Sequence, residues 1–278
     1  MIKDIVLHIS PGAFPDATVE YAISVASGFD AHLTGITFAL EPFVPPTMGM
    51  GEVMPAAWVE QEWAKAEAAA KAAAARFEDA ARRNGVAFDS RMLDSSIAGA
   101  AEIFGEIAAC FDLSIVRQAE TGKPPLEELV IEGALFGSGR PVLVVPYIQQ
   151  SALALDRVLV CWNGSANAAR AVGDAMPFLR RAKKVEVLVA LGEGGRTDEI
   201  EGAEIAAHLA RHRLDVEVER LAAIKGDVTD TILSHAADVG ADFLVMGGYG
   251  HSRLREFVLG GVTRGILQTM TLPVLLAH

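Results

Sequence analysis

Two groups of glycines near the end of the chain have a spacing that could hold a phosphate chain. They bracket the stretch MGGYGHSRLREFVLGGVT, residues 246–263, with Gly247 and Gly250 in the first group and Gly260 and Gly261 in the second. Glycine lets the backbone turn tightly and approach a ligand closely. The alternative is that two ordinary turns flank a short surface segment.

The surroundings of these glycines favour an anion site. A predicted strand ends at Met246, and the carboxyl ends of parallel strands are where open α/β sheets bind ligands. Val262 and Thr263 precede RGILQTM, which has the pattern of a helix. Backbone N–H groups at a helix start bind anions, and the Thr263 hydroxyl adds a donor.

Other polar residues do not form a catalytic cluster. His251 adjoins the glycines and could donate to a phosphate or shuttle a proton, although a solvated loop histidine is the simpler interpretation. His208 and His212 stand at i and i+4 of a predicted helix without a third metal ligand. Asp227 and Asp230 suit the first turn of a helix. We therefore predict no catalytic residue and no metal ligand.

The elements that must position the glycines occur twice. Each half of the chain opens with an apolar strand (5–10 and 157–163), has a later strand after an Asp (112–117 and 242–247), and closes with an apolar strand after a Pro (141–145 and 273–277). Short strands that alternate with helical segments indicate βαβ units and parallel sheets. We expect two similar domains, residues 1–150 and 151–278, in which the closing strands can pair with each other.

The first half also contains an insertion. Residues 41–58 are rich in Pro, Met and Gly, and we interpret them as a connector, with a lid over a ligand as the alternative. A predicted helix follows from Ala56 to Arg83, where Asn84 and Gly85 stop it.

Composition limits the classes of function. The 278 residues are 51% hydrophobic and 22% charged, with a formal net charge of −12. The acidic balance argues against binding to nucleic acid, and no apolar run reaches the ~18 residues of a membrane span. Cys110 and Cys161 are far apart and lack the paired spacing of a zinc site, a redox motif or a disulfide framework. The N-terminus does not resemble a signal peptide, so we expect a cytoplasmic protein.

The glycine pattern resembles the nucleotide loop of the universal stress protein family, and the two halves resemble its tandem type. The motif is Gly247-Gly-Tyr-Gly250, then residues 251–259, then Gly260-Gly-Val-Thr263, ending in LPVLLAH. The resemblance implies two Rossmann-like domains, each with a mostly parallel five-stranded sheet and helices on both faces, paired through their last strands. In one branch of the family it also implies ATP binding.

The resemblance also assigns a set of nucleotide-binding residues. They are Cys161 and Asn163 after the first strand, Leu191 after the second near the adenine, Met246 beside the nucleotide, and Gly247, Gly250, Gly260, Gly261, Val262 and Thr263 around the ribose and phosphates. We add His251 to this set because it adjoins the loop, not because of the resemblance. Asn163 replaces the Asp that is usual in the family, which puts Mg²⁺ coordination in doubt because an amide brings no charge. Gly261 removes a serine hydroxyl that is common there.

The first half does not repeat the motif. Aligning the strands of the two halves places Arg117 at Gly247 and Glu120 at Gly250, and the closing prolines place Glu128, Leu129 and Ile131 at Gly260, Gly261 and Thr263. A carboxylate repels phosphates. We therefore expect one nucleotide site, in the second half.

Three functions remain open at this stage. The first is a stress-response protein that binds ATP or a related adenine nucleotide without fast catalysis, forms a homodimer, and offers a nucleotide-dependent surface to a protein partner. The second is a nucleotide-free dimeric interaction scaffold. The third is an α/β hydrolase acting on a nucleotide or acyl substrate.

Overall fold

The computed structural model describes residues 1–12, 16–42, 55–123, 125–191, 202–223, 227–248 and 261–278. The N-terminal half contains β1 (Asp4–Ile9), α1 (Ala17–Phe29), β2 (His32–Leu40), α2 (Ala56–Arg83), β3 (Phe88–Ser95), α3 (Ile97–Ala108), β4 (Leu113–Arg117), α4 (Leu126–Gly137) and β5 (Val142–Val145). The C-terminal half contains β6 (Arg157–Cys161), α5 (Ala166–Leu179), β7 (Lys184–Leu191), α6 (Ala203–Arg211), β8 (Val216–Ala222), α7 (Val228–Asp238), β9 (Phe243–Gly247), α8 (Val262–Thr269) and β10 (Val274–Ala277).

All ten strands join one sheet, in the order β3-β2-β1-β4-β5-β10-β9-β6-β7-β8. Within each half the strands are parallel, and the same five-strand order appears in both. The halves meet where β5 and β10 pair antiparallel, with Leu143 opposite Leu275. The α/β fold class predicted from the sequence is confirmed, and the closing strands pair with each other as expected.

Helices cover both faces of the sheet. On one face, apolar side chains of the strands pack with α1, α2, α5 and α6, and on the other with α3, α4, α7 and α8. A parallel strand covered on both faces must be apolar along its whole length, which explains the near-continuous runs VLVV and VLLA. The central strands are therefore buried, whereas the two edge strands, β3 and β8, carry exposed residues.

Helix ends follow from local sequence. Asp16 accepts from the Thr18 and Val19 N–H groups at the start of α1, and Ser165 accepts from Ala168 at the start of α5. Asp227 caps α7 by accepting from the Asp230 N–H at 3.1 Å, which confirms its predicted helix-start role.

Helix α2 has the predicted ends. It runs from Ala56 to Arg83 and is followed by Gly85 with φ +67°. Residues 43–54 of the predicted insertion lie outside the described residues, and the domain boundary at residues 150 and 151 stays a prediction. Among the described residues, no helix combines the length and apolar character that crossing a membrane requires.

Candidate functional site

The first strand of the C-terminal half, β6, lies in the interior of the sheet and separates two directions of winding. The chain leaves β6 through α5 toward β7 on one side, whereas β9 and β10 lie on the other. Such a topological switch point opens a crevice between the two loops at the carboxyl ends of the strands. The candidate site is this edge, where β6 leads into α5 and β9 leads toward α8.

Cys161 and Asn163 form the β6 side of the candidate site. Asn163 is exposed, and its Oδ1 accepts from the Ser165 N–H at 3.1 Å, while Gly164 between them has φ +71°. Burial of the Cys161 thiol raises its pKa to about 12, although part of the residue is accessible. Cys161 is therefore a neutral, weakly polar group rather than a nucleophile.

Gly247 ends β9 directly against the first turn of α5. A Cβ added at Gly247 would lie 2.6 Å from the Ala168 nitrogen and 3.0 Å from the Asn167 Cβ. No side chain fits there unless α5 moves, so this glycine brings the helix start close to the end of the strand. It has a packing requirement whether or not a ligand is bound.

Gly248 is fixed by three surrounding groups. Its N–H donates to the Ala277 carbonyl at 2.8 Å, and its own carbonyl accepts from the Asn167 side-chain amide at 2.7 Å. The His278 Nδ1 atom lies 3.1 Å from the same carbonyl oxygen. The sequence analysis missed Asn167 and His278, because nothing in their local spacing relates them to a glycine so distant in the chain.

Gly261 is the N-cap of helix α8, and it has no side chain with which to cap the helix. Val262 is half-buried, and Thr263 is only 4% exposed. A few residues further, a Cβ on Gly265 would lie 2.6 Å from the Thr229 Oγ1, so α8 packs closely on α7. Packing against α7 thus holds the helix. Its N-cap position presents only backbone and no capping side chain.

Met246 and Leu191 complete the predicted set that the structure describes. Met246 is 5% exposed and packs in the core on the face that carries α7 and α8. Leu191 is the last residue of β7 and pairs with Ala222 of β8. Of the predicted residues, Gly250, His251 and Gly260 lie outside the described residues.

The equivalent edge of the N-terminal half is occupied by its own side chains. Arg117 ends β4 as Gly247 ends β9, which matches the predicted alignment. Its guanidinium contacts Glu120 at 2.5 Å, and Lys123 contacts the other carboxylate oxygen at 2.8 Å. These cations, Lys123 first, hold the pKa of Glu120 below its usual value, so the carboxylate stays charged.

A second polar contact closes the same edge from the β1 side. The Ser10 hydroxyl donates to the Glu127 carboxylate of α4 at 2.9 Å, and Ser10 is only 4% exposed. Asp16 caps α1 nearby with a carboxylate. Paired charges and side-chain hydrogen bonds therefore fill the edge where a phosphate would have to enter.

The described residues contain no group of three or more His, Cys, Asp or Glu side chains suited to a metal ion. The predicted i, i+4 pair does share one face, since the His208 and His212 rings lie 4.9 Å apart. Two imidazoles without further ligands do not make a structural or catalytic zinc site.

The fold defines a class, the doubly wound α/β proteins with a topological switch point, and comparisons with known proteins show what the chain is similar to. A model of the universal stress protein family matches residues 154–278. A universal stress protein from Synechocystis sp. is 27% identical over 176 residues, covering 59% of this chain and 57% of the relative. The chain thus covers little more than half of that relative's length.

Solved structures extend the likeness in fold to the whole chain. A universal stress protein from Archaeoglobus fulgidus superposes with a TM-score of 0.69 at 16% identity, covering 98% of this chain and 95% of that one. A candidate universal stress protein from Pseudomonas aeruginosa gives a TM-score of 0.61 at 16% identity, covering 99% and 93%. The C-terminal part of the chain is thus similar to the universal stress protein family, and its two-half layout is consistent with the tandem type.

Proposed function

We propose that this chain is a universal stress protein that binds ATP or a related adenine nucleotide in its C-terminal half, at the edge formed by the β6–α5 and β9–α8 connections. The proposal extends to a role in which nucleotide occupancy changes a surface offered to a protein partner. One observation carries it: the same edge holds glycines in the C-terminal half and paired charges in the N-terminal half.

The charges at the two edges favour phosphate binding in one half. In the N-terminal half, Glu120 is paired with Arg117 and Lys123, and Glu127 at the start of α4 accepts from Ser10, so side chains already satisfy one another there. In the C-terminal half, α8 starts at Gly261 without a side-chain acceptor. Since the start of a helix carries partial positive charge, a phosphate can take the place that a capping side chain would fill.

The groups on the β6 side suit a neutral part of the ligand. The Oδ1 atom of Asn163 is engaged by Ser165, which leaves its Nδ2 amide as a donor to a ribose hydroxyl. Cys161 is uncharged at neutral pH and packs beside apolar residues of the sheet. Neither supplies an anionic oxygen for Mg²⁺, so we expect the protein to hold the nucleotide without a metal ligand of its own.

Slow or absent catalysis fits the same chemistry. The pKa of Cys161 excludes a reactive thiolate, and an amide at Asn163 cannot act as a general base. Binding and release of the nucleotide, rather than its hydrolysis, would then determine whether the protein is in its nucleotide-bound or nucleotide-free form.

Thermal unfolding with and without ATP, each with and without Mg²⁺, tests this function, together with mass spectrometry of small molecules that co-purify. At about 100 times its dissociation constant, ATP should stabilise the protein by about 2.7 kcal/mol. For a domain of this size that is a shift on the order of several degrees. No shift and no co-purified nucleotide would overturn the proposal and leave the nucleotide-free scaffold.

A further inference from the structure

The N-terminal half contacts both described flanks of the glycine motif. On one flank, a Cβ on Gly248 would lie 2.9 Å from the Leu135 side chain of α4. On the other flank, the Gln118 side chain reaches α8 from the end of β4. The two flanks of the candidate nucleotide site are therefore set against the half that does not bind.

Gln118 caps the C-terminus of α8 across the boundary between the halves. Its Nε2 donates to the Leu267 carbonyl at 3.0 Å, and its Oε1 accepts from the Tyr147 N–H at 3.4 Å. The last carbonyls of a helix have no partner within the helix, and α8 ends at Thr269. Gln118 is 1% exposed, so the amide supplies a buried donor to one of these carbonyls.

Helix α8 depends on such tertiary contacts. It has eight residues, no side-chain N-cap and no basic residue in its last turn. Isolated helices of this length are unstable in water, and most of their stability in proteins comes from packing. A contact at the C-terminal end therefore affects the position of the whole helix, including Gly261 at its start.

A cavity beside α8 makes the Gln118 contact more important. It has a volume of about 230 Å³ and lies between the segment after β4 and α8, with Glu120, Lys123, Arg264, Leu267 and Gln268 among its lining residues. Close packing resists displacement, and space next to a helix removes that resistance. On this side the Gln118 hydrogen bond is a direct contact between the N-terminal half and the helix.

We propose that Gln118 is a positioning residue for nucleotide binding, through which the N-terminal half holds helix α8 and its Gly261 start in the binding geometry. The inference rests on the proposed function for its effect on affinity. It gives the N-terminal half a role: its own edge is filled by ion pairs, and the residue after β4 serves the neighbouring site instead.

The test compares Gln118→Met with Gln149→Met in the full chain. Methionine has a similar length and no hydrogen-bonding amide. Gln149 is a matched control because its amide also donates hydrogen bonds, at 3.1 and 3.0 Å, but to Ser151. The measurements are the ATP dissociation constant, the unfolding midpoint without nucleotide, and hydrogen exchange of the backbone amides of α8.

We expect Gln118→Met to raise the ATP dissociation constant about fivefold, the effect of one buried hydrogen bond, and to speed exchange in α8 by a similar factor. Gln149→Met should change neither. A lower midpoint with unchanged affinity and unchanged exchange in α8 would overturn the inference and leave Gln118 a purely structural residue.

Failure of the proposed function gives a different pattern. If the unmodified protein binds no ATP, exchange in α8 still decides the positioning role. If exchange in α8 is faster in Gln118→Met and not in Gln149→Met, Gln118 still positions α8, although the proposed nucleotide binding is wrong. Equal exchange in both variants would overturn the positioning role as well.

Discussion

The side-chain amide of Asn167 donates a hydrogen bond to the carbonyl oxygen of Gly248 at 2.7 Å. Asn167 lies in the first turn of α5, and Gly248 follows the last residue of β9. The contact ties the two connections that flank the switch point, so the position of one depends on the other. A nucleotide bound between them would depend on this distance.

Asn167→Ala should weaken nucleotide binding by about fivefold and lower the free energy of unfolding by about 1 kcal/mol, because the Gly248 carbonyl loses a donor. The measurements are ATP titration and urea unfolding. Asn84→Ala is the control, since Asn84 makes a similar amide bond to the Ala80 carbonyl at 2.9 Å at the far end of α2. Comparable ATP affinity in Asn167→Ala and Asn84→Ala would show that Asn167 does not contribute to nucleotide binding.

Gly261→Asp should separate stability from binding. Its backbone has φ −53° and ψ 154°, which any residue can adopt, and aspartate is a favoured N-cap. The free energy of unfolding without nucleotide should stay equal or rise by a few tenths of a kcal/mol. The carboxylate should repel the phosphates and weaken ATP binding at least about tenfold, or 1.4 kcal/mol.

Gly261→Ser is the matched control for that change. Serine also caps a helix but carries no charge, and its hydroxyl can donate to a phosphate. ATP affinity should be kept or improved. Equal affinity in Gly261→Asp and Gly261→Ser would place the phosphates away from the start of α8.

Asn163→Asp should make ATP binding depend on Mg²⁺. The substitution adds an anionic oxygen at the end of β6, where Mg²⁺ bound to phosphates could use a carboxylate ligand. We expect the unmodified protein to show the same ATP affinity with and without Mg²⁺. Isothermal titration with Mg²⁺ or with a chelator checks both proteins, and a strong Mg²⁺ effect in the unmodified protein would contradict our account of Asn163.

Burial of His8 should make the free energy of unfolding fall at acid pH. Its ring is buried between Phe38 and Phe104, with centroids 6.0 and 5.7 Å away, and burial lowers its pKa to about 4. The unfolded chain binds this proton near pH ~6.5, so the stability is present above that pH and is lost as the pH falls toward about 4. The loss is at most about 3.5 kcal/mol, at about 1.4 kcal/mol per pH unit.

His8→Phe should remove this part of the pH dependence, because an apolar ring can pack between the same phenyl groups without taking up a proton. Urea unfolding at about pH 7.5 and about pH 5 measures the difference. His32→Gln is the control, since His32 is one-third exposed and lies near Asp4 and Asp89. The same acid slope in His8→Phe and the unmodified protein would show that His8 is not responsible.

Features that depend on neighbouring residues in the chain were predictable, because the local sequence influences the backbone conformation there. The ends of α2 followed from its alanine-rich pattern and the Asn84–Gly85 stop, and the helix-start role of Asp227 followed from its place before an apolar run. The equivalence of Arg117 and Gly247 followed from the repeat of strands. Each of these depends on local propensity or on periodicity, which a single sequence displays.

The sequence by itself determined the α/β class, the repeat of strands in the two halves, the family resemblance and the glycine pattern at 247–263. Only the tertiary structure decided that Gln118 reaches Leu267, 149 residues away, and that Asn167 reaches Gly248, 81 residues away. It also showed that Gly247 is required by the closeness of α5. Local spacing carries no record of contacts between distant segments, because these arise when the sheet brings the strand ends to one edge and β5 pairs with β10.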